Sequence, residues 1–168
     1  MIPVENFMLK QFSYQLNAGP LSTKEELLMD WNAGNCRRAL QWYFLASKNL
    51  FLAPEQVLCP AAYYKTGNFI FTKGQEVNFS VLKKGDIVYA ERIRNKNGMH
   101  IDKSEKAFQN MDDYITSLHT AIYTGERNRE IWHSTAIEGK SCYWSLEQFG
   151  KFYRSVAVKR IKVANMLK

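Results

Sequence analysis

Asn32-Ala33-Gly34-Asn35 is a short polar loop that runs straight into Cys36-Arg37-Arg38-Ala39-Leu40-Gln41-Trp42-Tyr43-Phe44, an amphipathic stretch, so the chain is organised around a helix that begins with a cysteine. A helix N-terminus carries unpaired N–H groups and a partial positive charge, both of which favour a thiolate over a thiol. Arg37 and Arg38 add positive charge in the same sense, although they oppose the helix dipole. Ala39, Leu40, Tyr43, Phe44 and Leu50 follow a near-helical spacing, which predicts a helix with one buried side that holds the thiol on a packed element. A lone cysteine in such a place can equally be a small buried hydrophobe, so the choice depends on what the rest of the chain brings to it.

A chain of 168 residues that is 46% hydrophobic and 14% aromatic has enough apolar material for one core and too little length for two. A single domain over residues 1–168 is expected. Lys and Arg outnumber Asp and Glu by 23 to 16, and the resulting net charge of +7 suits anionic partners, an anionic polymer among them. The cations are dispersed in short clusters, Arg37-Arg38, Lys83-Lys84, Arg92 to Lys96 and Lys159 to Lys162, as on a solvated surface. Cys36, Cys59 and Cys142 show no C-x-x-C spacing, which argues against a structural zinc site, and their odd number leaves at least one thiol free. Phe7-Met8-Leu9 is too short for the apolar region of a signal peptide, and no stretch reaches membrane-spanning length. A cytoplasmic location or export by a signal-independent route is expected.

Along the chain, residues 1–21 read as an arm packed on the domain through Phe7, Met8, Leu9, Phe12, Tyr14 and Leu16, ending in the turn signal Asn17-Ala18-Gly19-Pro20. Ser22 and Thr23 each precede a glutamate by three residues, which predicts a capped helix over about Lys24 to Trp31. Asn35 or Asn32 is the N-cap candidate for the Cys36 helix, and Pro54 to Leu58 reads as a short helix stopped by Pro60, with Cys59 structural. From Gly67 the pattern turns to β: Asn68 to Phe71, Val77 to Phe79, and Ile87 to Ile93 after the turn Lys83-Lys84-Gly85-Asp86. Residues 94–118 read as an insertion with one short helix around Ser104 to Asn110, and His100 within it reads as a surface residue. His119 to Tyr123 and Glu130 to Thr135 then form a hairpin, Ser145 caps a helix running to Tyr153, and Ser155 to Val163 closes the chain as a strand.

A thiol nucleophile needs an imidazole to take its proton and a third polar group to orient that imidazole. His119 opens one arm of the hairpin and His133 lies on the other. Because side chains alternate across a strand, an even pairing register puts both rings on one face, opposite each other or one diagonal step apart, and an odd register separates them.

Four blocks in this order resemble the NlpC-type cysteine peptidases, which have a reduced papain-like fold. Cys36 stands where the family has its Asp-Cys-Ser-Gly turn; Phe79 to Val88, with Gly85-Asp86-Ile87-Val88, is similar to its hydrophobic-x-x-Gly-Asp-Leu-Val run; His119-Thr120-Ala121-Ile122-Tyr123-Thr124-Gly125 is similar to His-Val-Gly-Ile-Tyr-x-Gly; and Ile131-Trp132-His133-Ser134 to Ile-His-Ala. The resemblance spans about Asp30 to Val163 and implies an α+β, papain-like fold with a nucleophile helix packed on a central antiparallel sheet. It implies Cys36 as nucleophile, His119 as general base and His133 as the orienting residue, acting without metal or cofactor on a peptide or a peptidoglycan stem peptide. Asn35 replaces the family's Asp and Arg37-Arg38 its Ser-Gly, so the substrate-facing side of the helix start is expected to be bulkier and more cationic. The longer stretch before His119 is expected to form a lid or pocket wall.

Two other readings stay open at this stage. The same trio suits a deamidase or acyltransferase acting on a protein or lipid. A basic nucleic-acid-binding module without catalysis would instead use Trp42, Tyr63, Tyr64 and Trp132 for stacking.

Overall fold

The computed structural model describes residues 10–60 and 68–162. Its frame is an antiparallel sheet of six strands: β1 (Phe69–Phe71), β2 (Ile87–Arg92), β3 (His119–Tyr123), β4 (Ile131–Thr135), β5 (Lys140–Trp144) and β6 (Tyr153–Lys159). They lie in the order β1-β6-β2-β3-β4-β5, so the last strand of the chain is slotted between the first two. The helices are α1 (Lys24–Met29), α2 (Cys36–Lys48), α3 (Pro54–Val57), α4 (Met111–Ser117) and α5 (Leu146–Phe152). This is the mixed arrangement of helices and antiparallel sheet expected from the sequence. Among the described residues no helix is long and apolar enough to cross a membrane.

Period-two alternation sorts the central strands onto two apolar layers. Ile87, Tyr89, Ile122, Trp132 and Ala157 face Leu40, Trp42, Tyr43 and Phe44 of α2, while Val88, Ala90, Ala121, Ile131 and Val158 face Phe149, Tyr153 and Trp144. Ile87 through Ala90 are wholly enclosed, as a strand covered on both faces must be. The turn into β2 depends on Gly85, whose φ of +95° suits a residue without Cβ. Asp86 locks that turn: its Oδ2 accepts from the Lys83 amide at 2.8 Å, and the Arg160 guanidinium donates to both carboxylate oxygens at 2.8 Å.

Several expectations need correction. Helix α2 is buried from Cys36 through Leu45 on every side, not on one, because the sheet, the arm and α3 enclose it together. Trp42 and Trp132 are fully enclosed, so neither presents a ring on which a base could stack, while Tyr63 and Tyr64 lie outside the described residues. Val77 to Phe79 is no strand: Asn78 accepts from the Ser80 amide at 3.0 Å and opens a 3-10 turn over Phe79–Val81. The insertion carries a 3-10 turn at Glu105–Ala107 and a further helix, α4, capped by Asn110 at the Asp113 amide. Strand β5 was not expected at all, and β6 begins two residues earlier than Ser155 and ends at Lys159, with Val163 outside the described residues. In the arm, Phe12 is buried and exchanges hydrogen bonds with Ser141 of β5, whereas the Leu16 side chain is 73% exposed and the residue is held through its carbonyl, which accepts from Asn35 Nδ2 at 3.3 Å. Phe7, Met8 and Leu9 lie outside the described residues. Helix α1 ends at Met29, and Trp31, beyond it, stacks on Trp42 at 5.5 Å. His100 is exposed, as expected.

Candidate functional site

Cys36 is the first residue of α2, and the loop before it is held from three directions. Asn35 is the N-cap, its Oδ1 accepting from the Arg37 and Arg38 amides at 3.0 and 3.1 Å, which leaves the Cys36 amide outside the cap. Gly34 donates to the Ser13 carbonyl at 2.9 Å and accepts from Ser134 Oγ at 2.8 Å. A Cβ at Gly34 would meet the Trp42 ring at 2.9 Å, so this close approach requires glycine. Ser134 is the neighbour of His133 on β4, so that bond ties the loop before the thiol to the strand of the second histidine.

Arg37 and Arg38 do not make a cationic, substrate-facing rim. Both are buried. Arg37 donates to the carbonyls of Ile115 and Thr116 at 2.9 and 3.0 Å, satisfying the end of α4 just ahead of His119. Arg38 donates to the Gly19 and Ala33 carbonyls and pairs with Asp30 at 3.0 Å. What read as bulk beside the thiol is bracing that joins α2 to the segments around it.

The hairpin register is even. Ile122 pairs with Trp132 and Tyr123 with Ile131, which, continued along the strands, puts His133 one diagonal step from His119 on the same face. Their rings are joined by a hydrogen bond of 2.7 Å between His119 Nε2 and His133 Nδ1. Tyr153 stacks on His119 at 4.2 Å, and the His133 ring sits edge-on to Trp144 at 4.5 Å, with Phe149 at 5.7 Å. His133 Nε2 has no hydrogen-bond partner among the described residues.

Burial sets the charge state of this pair. It pushes His119 down to about 3, with the guanidinium groups of Arg37 and Arg92 acting in the same direction. Burial likewise holds His133 well below the ordinary imidazole value, helped by His119. Both rings are therefore neutral at neutral pH. Tyr153, stacked on His119, has its hydroxyl raised by burial, with the Thr135 hydroxyl and Arg92 acting against that and charge at Cys36 and Tyr14 acting with it. Cys36 itself shares no hydrogen bond with either imidazole among the described residues. Tyr14, on the arm, responds to burial first and then to Cys36 and Arg92.

Cys36 is buried at the start of its helix, with 9% of its surface exposed. Cys59 is wholly enclosed, and burial pushes Cys142, opposite His133 in the β4–β5 register, up to about 12. Among the described residues no group of three or more His, Cys, Asp or Glu is arranged to hold a metal ion.

Tyr14, Arg92 and Tyr153 were not singled out from the sequence. Arg92 could have been, since alternation places it on the face of Val88 and Ala90. Tyr153 gave no local signal, because its place over His119 depends on β6 pairing with β2 next to β3.

No family model matches the chain, and no curated protein matches it. Among solved structures, the chain is similar to NlpC1 from Trichomonas vaginalis, with a TM-score of 0.51 and 14% identity over 94% of this chain. The match takes in 42% of that protein, so the chain spans less than half the length of its structural neighbour. At that identity the likeness is one of architecture: the chain has a distant NlpC-like fold.

Proposed function

We propose that the chain is a cysteine hydrolase, working as one domain, that cleaves an amide bond in a peptidoglycan stem peptide or a similar isopeptide linkage. Cys36 attacks the carbonyl carbon, its thiol proton passes to His119 Nδ1, and the C–N bond breaks as that proton is delivered to the leaving nitrogen. Water, deprotonated by the same ring, then hydrolyses the thioester and restores the thiol. The Cys36 amide is one donor for the oxyanion of each tetrahedral intermediate.

The observation that carries this reading is the 2.7 Å bond between His119 and His133. Of its two possible directions, donation by His119 Nε2–H leaves the Nδ1 lone pair of His119 as a base. It also puts the His133 proton on Nε2, against the ring system of Trp144, Phe149 and Tyr153, where an N–H is tolerated better than a bare lone pair. His133 thus acts as acceptor and sets the tautomer of His119.

An Asn at 133 keeps an acceptor near the position of Nδ1 and a Phe does not. His133→Asn should hold kcat within about tenfold of the parent, while His133→Phe loses about a hundredfold in kcat with KM little changed. Equal activity of the two would show that residue 133 serves only packing. The function itself is tested by incubating the protein with purified peptidoglycan fragments and weighing the products. A mass gain of one water divided between two fragments, absent with Cys36→Ala, is the expected result.

A further inference from the structure

The edge of β6 that faces away from β2 is mostly open. Strand β1 pairs only with Val158 and Lys159, and after Phe71 the chain turns away, with the Gln75 amide donating to the Thr72 carbonyl at 3.0 Å. Among the described residues, no strand covers Tyr153 to Val156 on that side. Every second residue of such an edge directs its N–H and C=O outward, which is a template for one more strand.

A groove of about 1280 Å³ runs along this edge. One wall is Lys73 to Val77 with Phe79, the other is Ser104 to Lys106 of the 94–118 insertion, and the end is formed by Leu146, Phe149 and Gly150 of α5. The groove lies one layer of side chains from the candidate catalytic histidines: Phe149 and Tyr153 line it and also pack on both rings, which themselves do not line it.

The lining decides what kind of occupant fits. The volume exceeds the roughly 300–1000 Å³ typical of a small-molecule site, so an extended ligand suits it better. Lys73 pairs with Glu105 at 2.6 Å and Arg154 with the buried Glu91, while Lys106 and Glu76 add one charge of each sign to the lining. A groove without net charge does not select a polyanion, and two ion pairs with two further charged side chains do not suit a bare acyl chain. Its chemistry matches a neutral, hydrogen-bonding backbone.

We propose that the groove binds an extended peptide segment of the substrate as a strand added to the outer edge of β6, delivering the adjoining amide past Tyr153 to Cys36. The delivery step rests on the hydrolase reading, and the docking step does not. Affinity comes from main-chain hydrogen bonds, and selectivity from the side chains that enter between Phe79, Phe149 and Val156.

The test uses full-length Cys36→Ala protein, which binds without turnover, and a library of blocked octapeptides selected by affinity and read by mass spectrometry. Gly150 gives a clean plug, because a Cβ there meets nothing within 4 Å and its helical backbone accepts any residue. Gly150→Tyr should fold normally and lower the affinity of selected peptides about tenfold or more, as should N-methylation of alternate peptide amides, each removing at least one hydrogen bond. Bound peptide should slow hydrogen exchange at the outward amides within Tyr153 to Val156. The proposal is overturned by no peptide enrichment, by unchanged affinity in Gly150→Tyr, by N-methylated peptides binding equally well, or by unaltered exchange along β6. It is also overturned if a sulfated polysaccharide or a fatty acid outcompetes the peptides, or if a second copy of the chain occupies the edge in sedimentation runs. Tight, edge-dependent binding with no cleavage by the unsubstituted protein would instead leave the docking site standing and remove the hydrolase.

Discussion

Cys36→Ala is expected to lower substrate turnover by at least about 10⁴, because the acyl-enzyme forms on that sulfur. The substitution removes one sulfur from the buried first residue of α2, where Asn35 still caps the helix and Ser134 still holds Gly34, so the melting temperature should stay within a few degrees. His119→Gln should lose about 10³–10⁴ through the absence of a base, with His133 still able to find a donor in the amide. Iodoacetamide gives an independent readout: near neutral pH it should modify Cys36 alone, since Cys59 is enclosed and burial lifts Cys142 to about 12. Turnover retained in Cys36→Ala, or labelling spread evenly over the three thiols, would reject the mechanism.

What could be read from the sequence was local. Asn35 before Cys36, Thr23 before Glu26 and Ser145 before Gln148 each announced a helix start through a side chain that can accept an amide within three residues, and each does so. The two histidines were legible as a pair because strand alternation leaves only two registers, and the hairpin adopts the even one. The parts that could not be read are those decided by distant chain. Strand β5 has little β signal of its own and forms because β4 needs a partner on its outer side and the arm at Phe12 to Tyr14 closes over it. Arg37 and Arg38 look like surface cations in any window, and only the carbonyls of Ile115, Thr116, Gly19 and Ala33, brought from elsewhere, draw them inward. Helix α4 is the exception, since Asn110 followed by Asp112 and Asp113 is a legible start that the length of the insertion obscured. The fold is clearest in its elements, and the candidate site in its nucleophile and bases. Tyr153 and the open edge of β6 appear only once β6 has been inserted beside β2.

That insertion buries two imidazoles, and the protein should lose stability in mild acid as a result. His119 is held at about 3 in the folded chain against 6.5 when free, and His133 is displaced in the same direction. A base whose folded value is depressed contributes stability that is fully present above 6.5 and is lost as pH falls toward the folded value, because the unfolded chain then binds protons that the folded chain refuses. Between pH 7 and pH 5 the unfolded His119 becomes almost fully protonated while the folded one stays neutral. The difference of one and a half pH units below 6.5 corresponds to a loss of about 2 kcal/mol from this residue alone, with His133 adding to it. Urea titrations at pH 7 and pH 5 should show that loss as a lower midpoint at constant slope. His119→Gln and His133→Asn, combined, should remove most of the dependence, since neither side chain titrates. A parent protein equally stable at both pH values would mean that the rings are charged or solvated in the folded chain, and the neutral base assigned to His119 would go with them.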